Sequence, residues 1–281
     1  MRVASQCAVV ALALPWFGCS NAVAGTPSPT EEAPPLVQGP AVLMANMIPV
    51  RVRRARVEAP SDPCPGDMVL VEGEYCPNVL HRCMRTLDPP GRYEHFRCAE
   101  YAPPRCLSRK RVSMRFCMDV DEFTIAGEAL PANFRSYSDG ERECARLGKR
   151  LCRESEWNFA CEGEAMQPYP YGFDRDSSAC NADRSDILDE RGRLKDLRAP
   201  GDAYPRCTSP FGIRNLAGNL EEFVTIDGSS PPRPAMKGAY WQPGRNHCRA
   251  AQTAHDRYYH GMETGFRCCA PALAASPGPA R

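Results

Sequence analysis

The sequence is short of three things, and each absence removes a class of function. It has almost no excess charge: 35 Lys and Arg stand against 34 Asp and Glu, a net of +1. No bulk field therefore draws it to nucleic acid or to an anionic membrane surface. The one concentrated basic stretch, RVRRAR at 51–56, alternates Arg with apolar residues and reads as a solvated linker or an edge strand. Apolar runs of bilayer-spanning length are missing too; the longest, CAVVALALPWF near the start, is too short to cross. The third absence is of familiar catalytic signatures. There is no G-x-S-x-G, no P-loop, no glycine-rich dinucleotide fingerprint and no paired C-x2-C zinc spacing. His247, His255 and His260 lie close in sequence, but at H-x7-H-x4-H no helical register converges three imidazoles on a metal, so they read as exposed loop histidines.

What the sequence has in excess is cysteine. Two of the sixteen lie in the first nineteen residues and fourteen fall between Cys64 and Cys269. An even number without zinc spacing reads as disulfides, hence as an exported domain. Arithmetic permits seven bridges and does not fix their pairing. The start of the chain agrees with export: Met1-Arg2 and the apolar stretch read as a signal peptide over 1–24. Cleavage before Cys19 would leave a lipid-anchored outer-membrane protein, the only membrane contact the sequence offers. Cleavage after Ala22-Val23-Ala24 would release a periplasmic or extracellular one. Residues 25–62, rich in Pro, Ala, Ser and Glu, read as a linker, and 271–281 as a disordered tail.

The core domain, 63–270, predicts an α+β fold with more loop than regular structure. MVLVEGEY (Met68 to Tyr75) reads as a strand and MRFCMDVDEFTI (Met114 to Ile125) as a second. Residues 76–106 carry four cysteines of their own with LDPPG and APP, which suggests a disulfide-pinned excursion. DGERECARL predicts a helix with Asp139 at its N-cap and Gly148 just past its end. ESEWNFAC predicts another, with Trp157 and Cys161 one turn apart on its buried face.

Two loops carry the candidate chemistry. In NLAGNLEEF, Asn215 and Glu222 are hard oxygen donors, and Gly218 lets the backbone turn its carbonyls inward. Such a loop builds a calcium site, or a turn whose side chains merely cap backbone groups. In KGAYWQPGRNHCRAA, Cys248 is either a reactive thiol or half of a disulfide. Tyr240, Trp241, Arg245 and His247 around it are of the types that anchor ligands. Trp241 could equally be an inward-facing core residue.

The order of MVLVEGEY, FCMDVDEFTI, GKRLCRESEW, YPYG, CN, FGIRNLAGNLEEF, MKGAYW and GFRC resembles the formylglycine-generating enzyme family, the sulfatase-modifying factor domain with its C-type-lectin-like fold. That resemblance implies a calcium site from Asn215, the carbonyls of Gly218 and Leu220, and Glu222. A second would use Asn181, the carbonyl of Ala182 and an acid near Asp196, with Asp186, Asp189 and Glu190 as competitors. It implies disulfides Cys144–Cys268 and Cys161–Cys248, to which we add Cys180–Cys207. The family's oxidases hold one copper between two thiolates, which convert a sulfatase cysteine to formylglycine. This sequence has no counterpart of that pair between Lys237 and His247. The resemblance therefore implies a domain without copper that binds a peptide or glycan at the cell envelope. The alternative is an oxidase that recruits thiols elsewhere.

Overall fold

The computed structural model describes residues 62–274. The expected signal peptide and nearly all of the linker lie outside the described residues. So does most of the expected tail, but its first residues are ordered. Pro271 ends a strand, and the Leu273 amide donates to the Pro63 carbonyl at 2.9 Å.

In chain order the elements are β1 (Met68–Tyr75), β2 (Val79–Leu80), β3 (Cys83–Thr86), β4 (Cys98–Tyr101), β5 (Arg105–Cys106) and β6 (Val112–Asp119). Then come α1 (Tyr137–Arg146), β7 (Arg150–Leu151), α2 (Glu154–Glu162), β8 (Glu221–Thr225), β9 (Pro234–Lys237), β10 (Thr264–Phe266) and β11 (Cys268–Pro271). An antiparallel sheet runs β1-β6-β11-β7, and a second runs β10-β8-β9 with β10 parallel to β8. Two short ribbons, β2-β5 and β3-β4, form the excursion. Disulfides Cys76–Cys106 and Cys83–Cys98 close it as nested rungs.

Strand β1 pairs residue for residue with β6, placing Val71 opposite Phe116 in the core. The second strand ends at Asp119, six residues short of the expected end. Beyond it Glu122 turns inward to accept from the Leu220 amide at 2.9 Å, an interaction no strand register supplies. Helix α1 is capped by Ser136, not Asp139. Ser136 Oγ accepts from the Asp139 amide at 3.1 Å, and the Asp139 carboxylate accepts from the Ser136 amide at 3.0 Å. Asp139 is thus the third helical residue of a capping box, three positions inside the observed cap. In α2, Trp157 and Cys161 are both fully buried.

Seven disulfides use all fourteen cysteines of the described residues. The adjacent pair Cys268-Cys269 shows how. Successive strand residues face opposite ways, so Cys268 reaches Cys144 on α1 while Cys269 reaches Cys152 on the other side of the sheet. One bond enters the cluster around Tyr137 and Phe266, the other the cluster around Trp157 and Phe159. These bonds span 124 and 117 residues, and Cys161–Cys248 spans 87. In the chain-entropy account, loops of that length stabilise by about 4–5 kcal/mol each.

Candidate functional site

After β9 the chain turns sharply. Gly238 has φ +87°, and a Cβ there would stand 3.3 Å from both the Leu216 carbonyl oxygen and the Trp157 ring. With Ala239 also at positive φ, the turn sends Tyr240 and Trp241 to opposite sides, their rings edge to face at 5.4 Å. Tyr240 lines a surface cleft of about 250 Å³ and Arg245 stands at its rim. Trp241 is fully buried, and its carbonyl accepts from the Arg184 amide at 2.8 Å. It is a core residue and no part of the groove expected for it. His247 is likewise turned inward. Its Nδ1 is buried without a partner, its ring lies 6.2 Å from that of Tyr101, and burial pushes its imidazole down to about 3.

Cys248 follows, bonded to Cys161 of α2. Among the described residues every cysteine is oxidised in this way, so none offers the thiolate pair that would hold copper. The residues present do not fit that group.

The floor of the cleft comes from acids that no sequence motif pointed to. Glu221 opens β8, and its amide donates to the Glu263 carbonyl at 2.8 Å, bringing the two acids side by side. Tyr259 donates its hydroxyl to Glu263 Oε1 at 2.6 Å, and His255 stacks on the Tyr259 ring at 3.6 Å. His255 is therefore a wall residue, not a free loop histidine. Burial, followed by the Glu263 charge, pushes the Glu221 carboxyl up to about 7. Burial and the same two acids push the Tyr240 phenol up to about 12. The one available signal was the doublet Glu221-Glu222: adjacent strand residues cannot both face the core.

Glu222 takes the opposite face. Its two oxygens accept from Arg267 Nε at 3.0 and 2.8 Å, from Arg267 Nη2 at 2.5 Å and from Trp157 Nε1 at 2.8 Å. All three side chains are buried. Glu122 lies beside them, its carboxyl raised by burial and by the Glu222 charge while Arg267 opposes the rise. Of the expected calcium donors, Asn215 keeps a buried Oδ1 with no partner, as an open ligand would. Its Nδ2 donates to the Gly201 carbonyl at 3.0 Å. Gly218 brings the loop so close to its neighbour that a Cβ would sit 2.2 Å from the Asn181 carbonyl oxygen. Glu222, however, already takes three N–H donors, and the arginine supplies the positive charge that a calcium ion would bring. As it stands this donor set does not fit a calcium ion.

The second set fits no better. Asn181 donates through Nδ2 to the Leu197 carbonyl at 2.7 Å and to Asn219 Oδ1 at 3.0 Å. Asp196 pairs instead with Arg198, at 2.8 and 2.6 Å. Ala182 is buried in the small cluster around Cys180–Cys207. Asp186 and Asp189 are engaged by Arg184 and Arg193. No group of three or more His, Cys, Asp or Glu among the described residues is placed to hold a metal.

Comparison with known proteins places this geometry. Residues 109–272 match the model of the sulfatase-modifying factor enzyme 1-like domain. The formylglycine-generating enzyme of Bos taurus is 24% identical over 197 residues, which cover 61% of this chain and 52% of the relative. The chain thus spans about half the length of that curated relative. Among solved structures, CarF superposes with a TM-score of 0.51 at 13% identity, covering 74% of this chain and 98% of the other. PvdO from Pseudomonas aeruginosa gives 0.49 at 16%, covering 75% and 97%. CarF at that identity speaks to the fold alone. The family model spans more than half of the sequence, and on that match the chain belongs to the sulfatase-modifying factor enzyme 1-like domain family.

Proposed function

We propose that this chain is an exported binding domain of its family that has given up copper-dependent oxidation and captures a peptide or glycan at the cell envelope through the Tyr240–Arg245 cleft. The oxidation state of the cysteines carries this reading. With Cys248 locked to Cys161 and twelve further cysteines paired, the soft thiolate ligands for Cu(I) among the described residues are used up in the frame. Seven disulfides also support export, since the reducing cytosol does not keep them. No helix among the described residues is long and apolar enough to cross a membrane. An anchor, if present, is the lipid at Cys19; the mass of the mature N-terminus distinguishes cleavage there from cleavage after Ala24. A frame held by cross-links tolerates change in its loops, which is where binding evolves.

The test is incubation with Cu(I), oxygen and a Cys-x-Pro-x-Arg peptide of the kind sulfatases present. We expect no aldehyde by mass spectrometry; repeated turnovers to formylglycine would overturn the reading. The binding half is tested on peptide and glycan arrays, where Tyr240→Ala should remove capture without lowering the unfolding temperature.

A further inference from the structure

We propose that the cleft receives a protonated lysine or arginine side chain of a polypeptide, held between Glu221 and Glu263. The inference rests on the binding reading above and names its ligand chemistry. Three observations carry it. First, the Glu221 side chain lines the cleft, is half-buried, and accepts no hydrogen bond from any group among the described residues. A half-buried carboxylate with no protein donor is left to solvent or to a ligand that supplies one. Second, Glu263 stands beside it with Oε1 engaged by Tyr259, so two acids face one space. Third, the lining includes the ring of Tyr240, of the type whose face attracts a cation, while the rings of Tyr259 and Phe96 beside it already carry His255 and Arg245.

The cation within the lining, Arg245, lies over the Phe96 ring at 5.1 Å and donates to the Ala251 carbonyl at 3.5 Å. It forms no ion pair with either acid and leaves the pair an excess negative charge. Size narrows the occupant. At about 250 Å³ the cleft is below the roughly 300–1,000 Å³ of drug-sized sites, so one long side chain suits it better than a sugar ring or a folded element. A calcium ion suits it less, needing 6–8 oxygens where the cleft offers two carboxylates and phenols. Acidic ligands meet like charge.

The experiment is an amide-resonance titration of the intact protein with N-acetyl-Gly-Arg-Gly-amide and its Lys counterpart, against the same peptides carrying citrulline or norleucine. We expect the charged peptides to shift residues 239–245 and to bind about tenfold or more tightly than the neutral ones at pH 8. Glu221→Gln should erase that preference. No variant is needed for the second arm, because the preference should fade as pH falls from 8 to 6 and Glu221 takes up a proton. The groups facing Glu221 are Glu263, Arg245, Tyr240, Tyr259 and His255. His255→Gln should therefore leave the pH dependence in place. Equal binding of neutral and charged peptides, a preference that survives Glu221→Gln, or no shift at the loop would each overturn the inference. Capture of an uncharged array ligand that Tyr240→Ala abolishes would still leave the broader binding reading standing.

Discussion

Glu221 and Glu222 are neighbours on one strand, and the protein treats them in opposite ways. Glu222 faces inward, saturated by Arg267 and Trp157. Glu221 faces the cleft and has no donor at all among the described residues. The first is a fixed joint of the fold, where two acids, Glu122 and Glu222, share a buried guanidinium. The second is an unsatisfied charge beside another acid. A fold can leave a charge unsatisfied only where solvent or a ligand reaches it, so the contrast separates structure from function within a single peptide unit.

The sharpest way to break the comparison is to remove the shared guanidinium. Arg267→Met leaves two buried carboxylates without their cation and should destabilise by about 3–5 kcal/mol, at the upper end, in urea unfolding. A loss below about 1 kcal/mol would mean that Glu222 finds another cation, calcium being the obvious one. Next in size is Trp241→Ala, which empties a core site and should cost about 3–5 kcal/mol. A small loss would return Trp241 to the cleft.

Glu221→Gln should act with the opposite sign. The folded carboxyl sits near 7, above the 4.5 of an unperturbed Glu, so the folded state binds the extra proton. Stability from this group is complete below about pH 4.5 and is lost as pH rises through 7. The neutral amide removes that loss, and the variant should be more stable than the parent at pH 8, by on the order of 2 kcal/mol. At pH 4 the two should unfold alike. Equal stability at both pH values would show that the carboxylate already has a partner. Smallest of all is the response to calcium. An ion bound only to the native state would add about 2.7 kcal/mol at a hundredfold excess over its Kd. With Glu222 held by Arg267, we expect calcium and EGTA to give the same unfolding temperature.

Much of the frame was legible in the sequence because local signals and covalent chemistry set it. The β-branched run MVLVEGEY is β1 from end to end. The one-turn spacing of Trp157 and Cys161 placed both in the core. Local signals did not set the pairing of the cysteines: the structure pairs Cys144 with Cys268 and Cys161 with Cys248, which only the family resemblance implied, and Cys180 with Cys207. The cleft was not legible in the same way. Tyr240 and Arg245 line it, but Trp241 and His247 do not, since a turn at Gly238 and Ala239 decides which ring faces out. Glu263 and Tyr259 lie some forty residues from Glu221 and join it only because β10 lies parallel to β8.

By itself, then, the sequence determined the class of fold, the number of cross-links and the lack of a thiolate pair beside Cys248. These follow from residue type, period and spacing, which any local stretch of chain carries with it. The tertiary structure alone decided that Arg267 takes the charge of Glu222, that Trp241 is core, and that Glu221 meets Glu263 across a cleft. Each of those depends on which strand lies beside which. Pairing between distant strands is set by the packing of the whole core, and no short stretch of sequence encodes it.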